Sequence, residues 1–100
     1  MPAGLEATGG GCFRVTGELS ADTVPDLYHR SAELFDGDGQ VELDLSGVQR
    51  SDSAGVALLV EWMVQAHHRQ REIRYLNMPA QMLSIARVSS LDHILPLVRD

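Results

Sequence analysis

Between Val41 and Val64 the chain changes its hydrophobic period, and that change limits the folds open to it. Val41-Glu42-Leu43-Asp44-Leu45 alternates apolar and polar residues with period two, the pattern of a half-buried strand. Ser46-Gly47 carries turn chemistry. From about Ser53 the period becomes helical, and Val56, Leu59, Val60, Met63 and His67 fall on one side. Between the two lies Ser51-Asp52-Ser53-Ala54-Gly55. These short residues stand where the first backbone N–H groups of a helix lack intrahelical partners.

The flanking segments continue the alternation. Met1–Gly4 reads as a loose end, Leu5–Thr8 as a short edge strand, and Gly9-Gly10-Gly11 as a hairpin connection into Cys12–Thr16. A phosphate cradle would need a helix directly after the glycines, and a strand follows instead. Thr16–Ser20 leaves that strand. Thr23 as N-cap, Pro25 in the first turn and Asp26 open a helix whose inward stripe is Val24, Leu27, Ser31, Leu34 and Phe35. Asp36-Gly37-Asp38-Gly39 stops it. Glu72–Asn77 alternates as a strand, Pro79 opens a third helix over Ala80–Val88, and Leu91–Val98 reads as a short turn or helix on the core. Strands alternating with helices imply crossover connections and a largely parallel sheet.

Composition narrows the function classes. One hundred residues make one domain with one core, and 44% hydrophobic content suits a globular chain. Fourteen acids against eight arginines, with no lysine, leave a net charge of −6, which argues against a nucleic-acid binder. A single cysteine, Cys12, and no apolar N-terminal segment fit a reduced, cytoplasmic protein. No apolar run approaches the ~20 residues needed to span a bilayer.

Catalytic arrangements fare poorly. A triad built on Ser53 and His67 fails on distance, because fourteen residues of helix at ~1.5 Å each separate them by about 21 Å. Nothing in the sequence places His29 or His93 near Ser53, and no G-x-S-x-G elbow is present. His67 and His68 point about 100° apart on a helix, without a third ligand at i+4. Cys12 beside Phe13 reads as a small buried side chain, and Asp44 with Asp52 as loop and cap residues, not a magnesium pair.

Asp44-Leu45-Ser46-Gly47-Val48, then Asp52-Ser53-Ala54-Gly55 and a long apolar helix, resembles the STAS domain, named for sulphate transporters and anti-sigma-factor antagonists. The resemblance covers nearly the whole chain and implies a single α/β domain over residues 1–100. It implies a mixed, mostly parallel sheet of four to five strands with three main helices, no catalysis, and neither cofactor nor metal. Ala57-Leu58-Leu59-Val60-Glu61-Trp62, Tyr75–Leu83, Ile85–Val88 and the Leu91-Asp92…Leu95-Pro96 ending resemble MlaB-like members. Those are subunits of the bacterial Mla phospholipid-transport ABC complex, which maintains outer-membrane lipid asymmetry. On that resemblance the partner is the cytoplasmic ATPase, with the permease behind it, and membrane association is indirect. Ser53 stands where MlaB-like proteins often carry Thr. It is equally the position at which a partner serine kinase phosphorylates the antagonists, so an anti-sigma-factor antagonist is the alternative. A lipid-binding STAS module has no residue of its own to support it.

Two questions stay open on sequence. Asp52 and Ser53 either cap the helix or form a regulated site, with Ser53 the candidate phosphorylation position. With Val56 taken as the centre of the buried face, Leu58 and Trp62 fall on the far side, exposed or covered by the third helix. The expected partner surface is Arg50, Asp52, Ser53, Ala54, Leu58 and Trp62, a polar tip leading to an apolar anchor.

Overall fold

The computed structural model describes residues 3–98, the Glu33 side chain aside. β1 (Gly4–Gly9) and β2 (Cys12–Leu19) form an antiparallel hairpin, and β3 (Val41–Ser51) and β4 (Ile73–Leu76) extend it in parallel, in the order β1-β2-β3-β4. α1 (Val24–Arg30), prolonged by a 3-10 turn over Ser31–Phe35, links β2 to β3. α2 (Ser53–His68) links β3 to β4, and α3 (Ala80–Val88) follows β4. Both crossovers step the same way along the sheet, so right-handed connections put α1 and α2 on one face. The expected α/β class, with a mixed sheet and three helices, is the observed one.

The period-two pattern decides which side chains meet those helices. Val15, Leu19, Val41, Leu43, Leu45, Ile73 and Tyr75 are buried. Alternate residues Arg14, Glu18 and Arg74 are exposed, and Glu42 and Asp44 half-buried, so the second face of the sheet is charged. The glycine triplet is a turn, with Gly9, Gly10 and Gly11 at φ 104°, 61° and 82°, a region glycine enters without a Cβ penalty.

Several boundaries differ from expectation. β2 continues to Leu19 and β3 to Ser51, because each offers the other a parallel ladder. Ser46-Gly47 is therefore a bulge: Arg14 pairs with Asp44, but Thr16 with Gly47. A Cβ on Gly47 would lie 2.8 Å from the Thr16 methyl and 2.9 Å from the Val15 carbonyl. Of the loose end expected over residues 1–4, the first two lie outside the described residues, Ala3 is buried, and Gly4 pairs with Thr16. The C-terminal tail turns at Leu91–Leu95 and then runs beside β4. There Tyr75 N–H donates to the Pro96 carbonyl at 3.0 Å and Val98 N–H to the Tyr75 carbonyl at 2.9 Å.

Candidate functional site

In open α/β sheets the carboxyl ends of parallel strands are where loops gather and ligands or partners bind. Here the ends of β2 and β3 bring the 20–23 loop beside the start of α2. The Asp52 N–H donates to the Leu19 carbonyl at 3.0 Å, tying the two strand ends together. Thr23 does not cap α1 with its side chain. Its hydroxyl donates to the Glu18 carbonyl at 2.8 Å and accepts from Ser20 N–H at 2.9 Å, which pins the loop instead.

Asp52 is the N-cap of α2. Its Oδ1 accepts from Ala54 N–H at 2.8 Å, and its Oδ2 receives a longer contact from Ala21 N–H at 3.4 Å. One carboxylate thus satisfies an orphan donor of the helix and touches the neighbouring loop. Ser53 is the first helical residue; it is exposed, and its hydroxyl has no hydrogen-bond partner among the described residues. Asp52 takes the structural role and Ser53 does not.

Gln81, from α3, closes this end from the other side. Its amide oxygen accepts from Ser51 N–H at 2.9 Å and its amide nitrogen donates to the Ser51 carbonyl at 2.6 Å. The pair imitates one rung of a sheet and substitutes for a strand neighbour where β4 has ended. No sequence motif announced it. Gly55 shows how tightly α2 is pressed down: a Cβ there would sit 2.0 Å from Ser51 Oγ and 2.8 Å from Leu19 Cβ.

The structure keeps Arg50, Asp52, Ser53 and Ala54 together at this tip. Arg50 is exposed and stands opposite Glu18 in the β2–β3 register. It does not keep Leu58 and Trp62 there. Leu58 is 2% exposed and Trp62 fully buried, so neither is an outward anchor. The cover over Trp62 comes from the end of α1, where its indole N–H donates to Ser31 Oγ at 2.9 Å and Ser31 donates onward to the Tyr28 carbonyl. A buried indole needs such a partner, and Ser31, itself buried, supplies it. The buried face of α2 is centred on Leu59 and not on Val56. Centred on Leu59, the buried residues Gly55, Val56, Leu58, Trp62 and Ala66 lie within about 100° at 100° per residue. Ser53, Ala57, Glu61 and Val64 then form the exposed strip.

Charge near this end is modestly tuned. Burial alone would raise the Asp44 pKa. Only together do the Ser46 N–H at 2.9 Å, Asn77 at 3.1 Å, the Ser46 hydroxyl and the charge of Arg14 outweigh it, and the carboxyl is held below its usual range. Tyr75, buried with its hydroxyl donating to the Leu59 carbonyl, is pushed well above the usual phenol value by desolvation. Among the described residues no helix is long and apolar enough to cross a membrane.

Comparison with known proteins places this geometry. An anti-sigma factor antagonist from Mycobacterium paratuberculosis superimposes with a TM-score of 0.78 at 20% identity, over 98% of this chain and 85% of that one. The anti-sigma factor antagonist SpoIIAA in its unphosphorylated form gives 0.73 at 16% identity, over 98% and 89%. At these identities the likeness is one of fold. No curated protein matches the chain in sequence. A family model described as "Mlab, STAS domain" matches residues 6–99. A chain matched by that model over nearly its full length, with the strand–cap–helix tip built as described above, belongs to the STAS domain family of the Mlab type.

Proposed function

We propose that this chain is a non-catalytic interaction subunit that binds and supports the cytoplasmic ATPase of an Mla-type phospholipid-transport ABC complex, which maintains outer-membrane lipid asymmetry. The observation that carries the reading is the Mlab-type family match across residues 6–99. The tip supports it. Asp52 is committed to the helix start, and among the described residues the Ser53 hydroxyl has no basic group hydrogen-bonded to it to activate it as a nucleophile. The surface is built for contact: Arg50, Asp52, Ser53 and Ala54, continued along α2 by Ala57, Val60 and Val64. Small residues at 53, 54 and 57 let a partner backbone approach, and Val64, 39% exposed, supplies the apolar end. The protein reaches the inner-membrane face through its partner.

A second reading rests on Ser53 itself. An exposed hydroxyl without a partner, next to a cap that already holds the helix, can accept a phosphate without unfolding the domain. On that reading the chain is an anti-sigma-factor antagonist switched at Ser53 by a serine kinase, the kind of protein named by both structural neighbours. One experiment separates the two. Affinity purification of the tagged full chain followed by mass spectrometry should recover an ABC ATPase and its permease, and Ala57→Arg should weaken that capture about tenfold or more (~1.4 kcal/mol) with an unchanged melting curve. Recovery of a serine kinase that phosphorylates Ser53 would replace the transporter reading with the switch.

A further inference from the structure

β3 outruns its neighbour. β4 pairs with it only from Val41 to Asp44, while β3 itself continues to Ser51. On that side, among the described residues, no strand lies beside the end of β3, yet Ser51 is 2% exposed. A buried N–H and carbonyl without partners would be costly. One side chain supplies both partners: the Gln81 amide oxygen at 2.9 Å from Ser51 N and its amide nitrogen at 2.6 Å from Ser51 O.

α2 starts from that residue. The Ser51 hydroxyl donates to the Asp52 carbonyl at 2.9 Å, and the same carbonyl accepts from Gly55 N–H at 3.1 Å. Asp52 Oδ1 holds Ala54 N–H at 2.8 Å. Both bonds that open the helix are thus made by the residue directly after Ser51. β2 fixes Asp52 from one side, through the Asp52 N–H on the Leu19 carbonyl. Gln81 fixes Ser51 from the other. The backbone of Gln81 is anchored because α3 buries Met82 and Ala86, whereas Gln81 itself is exposed. Removing its amide deletes two hydrogen bonds and opens no cavity in the core.

We propose that Gln81 is a positioning residue for the partner surface: by clamping Ser51 it holds Asp52, Ser53 and Ala54 in the arrangement a partner binds. This rests on the reading of the α2 tip as that surface. A loose tip has to be ordered at the moment of binding, and that cost is subtracted from affinity. A clamped tip has met the cost on folding. Through this one side chain, the docking of α3 sets how well the start of α2 is formed for its partner.

The test compares the full chain with Gln81→Met, which keeps the stem and removes both bonds, and with Ile73→Val. Ile73 is buried at the start of β4, so trimming it lowers stability without touching the tip. Hydrogen exchange is read at Ala54 and Gly55, whose bonds Gln81 does not itself make, and capture is read with the ATPase recovered by affinity purification. Gln81→Met should speed exchange at both amides several-fold and weaken capture about tenfold or more, with a melting curve shifted no further than that of Ile73→Val. Ile73→Val should leave both tip exchange and capture as in the wild type. Weakened capture with unchanged exchange would show that Gln81 touches the partner directly, and would overturn the positioning role. So would loosened amides with intact capture, or an equal loss of capture in Ile73→Val. A wild-type chain that captures no ATPase would sink the proposed function instead. The exchange measurement needs no partner: faster exchange would still make Gln81 the residue that orders the tip, and unchanged exchange would sink the clamp as well.

Discussion

At the amino-terminal ends of the parallel strands, Arg71 reaches across from the α2–β4 connection and donates to four carbonyls of the loop before β3. These are Leu34 at 2.7 Å, Asp36 at 2.9 Å, Gly39 at 3.0 Å and Asp38 at 3.1 Å. At the carboxyl-terminal ends, two loops again lie side by side, but neutral groups and one capping carboxylate join them: Gln81 on Ser51, Asp52 on Ala54 and Ala21. Both ends must satisfy backbone groups that strands and helices leave over. The first does so with a guanidinium that places four of its five N–H donors on backbone carbonyls. The second leaves an exposed serine and a row of small residues facing out. One end is closed by a side chain bonded to backbone, and the other leaves Ser53 exposed, on the surface proposed for a partner.

Trp62 lies between these ends, and Trp62→Ala should give the largest effect, a loss of about 3–5 kcal/mol from the cavity and the lost indole bond to Ser31. A urea melt measures it. A retained fold with weakened partner capture would return Trp62 to the binding surface and dissolve the contrast. Arg71→Ala should cost about 2–3 kcal/mol, the scale of hydrogen bonds from a charged donor, discounted because the side chain is only half-buried. Hydrogen exchange should rise first in residues 36–41. Unchanged stability would mean the two ends are equally dispensable.

At the open end the effects are smaller. Asp52→Ala should cost about 0.5–2 kcal/mol as a lost N-cap, and Ser53→Ala no more than about 0.5. Paired urea midpoints test this, and equal losses would show that Ser53 shares the cap. Ser53→Glu should leave stability near wild type, since negative charge suits a helix start, yet weaken ATPase capture. A lowered melting temperature with intact capture would make the site structural.

The smallest effect is a pH slope. Asp44 has a folded pKa below its unfolded value of about 3.9, so its contribution is complete above that value and is lost as pH falls through the folded one. Asp44→Asn should flatten the acid limb of the stability profile below about pH 4 by about a few tenths of a kcal/mol, because solvent still screens the half-buried group. Tyr75 has the opposite sign. Its raised pKa gives stability that is full below about pH 10 and lost as the pH rises further, and Tyr75→Phe should blunt that alkaline loss.

Period and punctuation determined a good deal by themselves. The alternation of Val41–Leu45, the helical spacing after Ser53, Pro79 before α3 and the glycine triplet are local signals, and local signals need no knowledge of neighbours. Asp52 was legible as a cap candidate for the same reason. What stayed hidden depended on a second piece of chain. Ser46-Gly47 looks like a turn until β2 supplies a ladder for it to bulge against. Leu58 and Trp62 look outward until α1 arrives with Ser31, because a helix wheel gives relative angles and only packing says where its zero lies. Arg71 and Gln81 bond to carbonyls and amides some thirty residues away, contacts that no spacing along the chain encodes. Backbone preference is set by the nearest few residues, whereas burial and long-range hydrogen bonding are set by whichever element the fold brings alongside, and that was decided only in three dimensions.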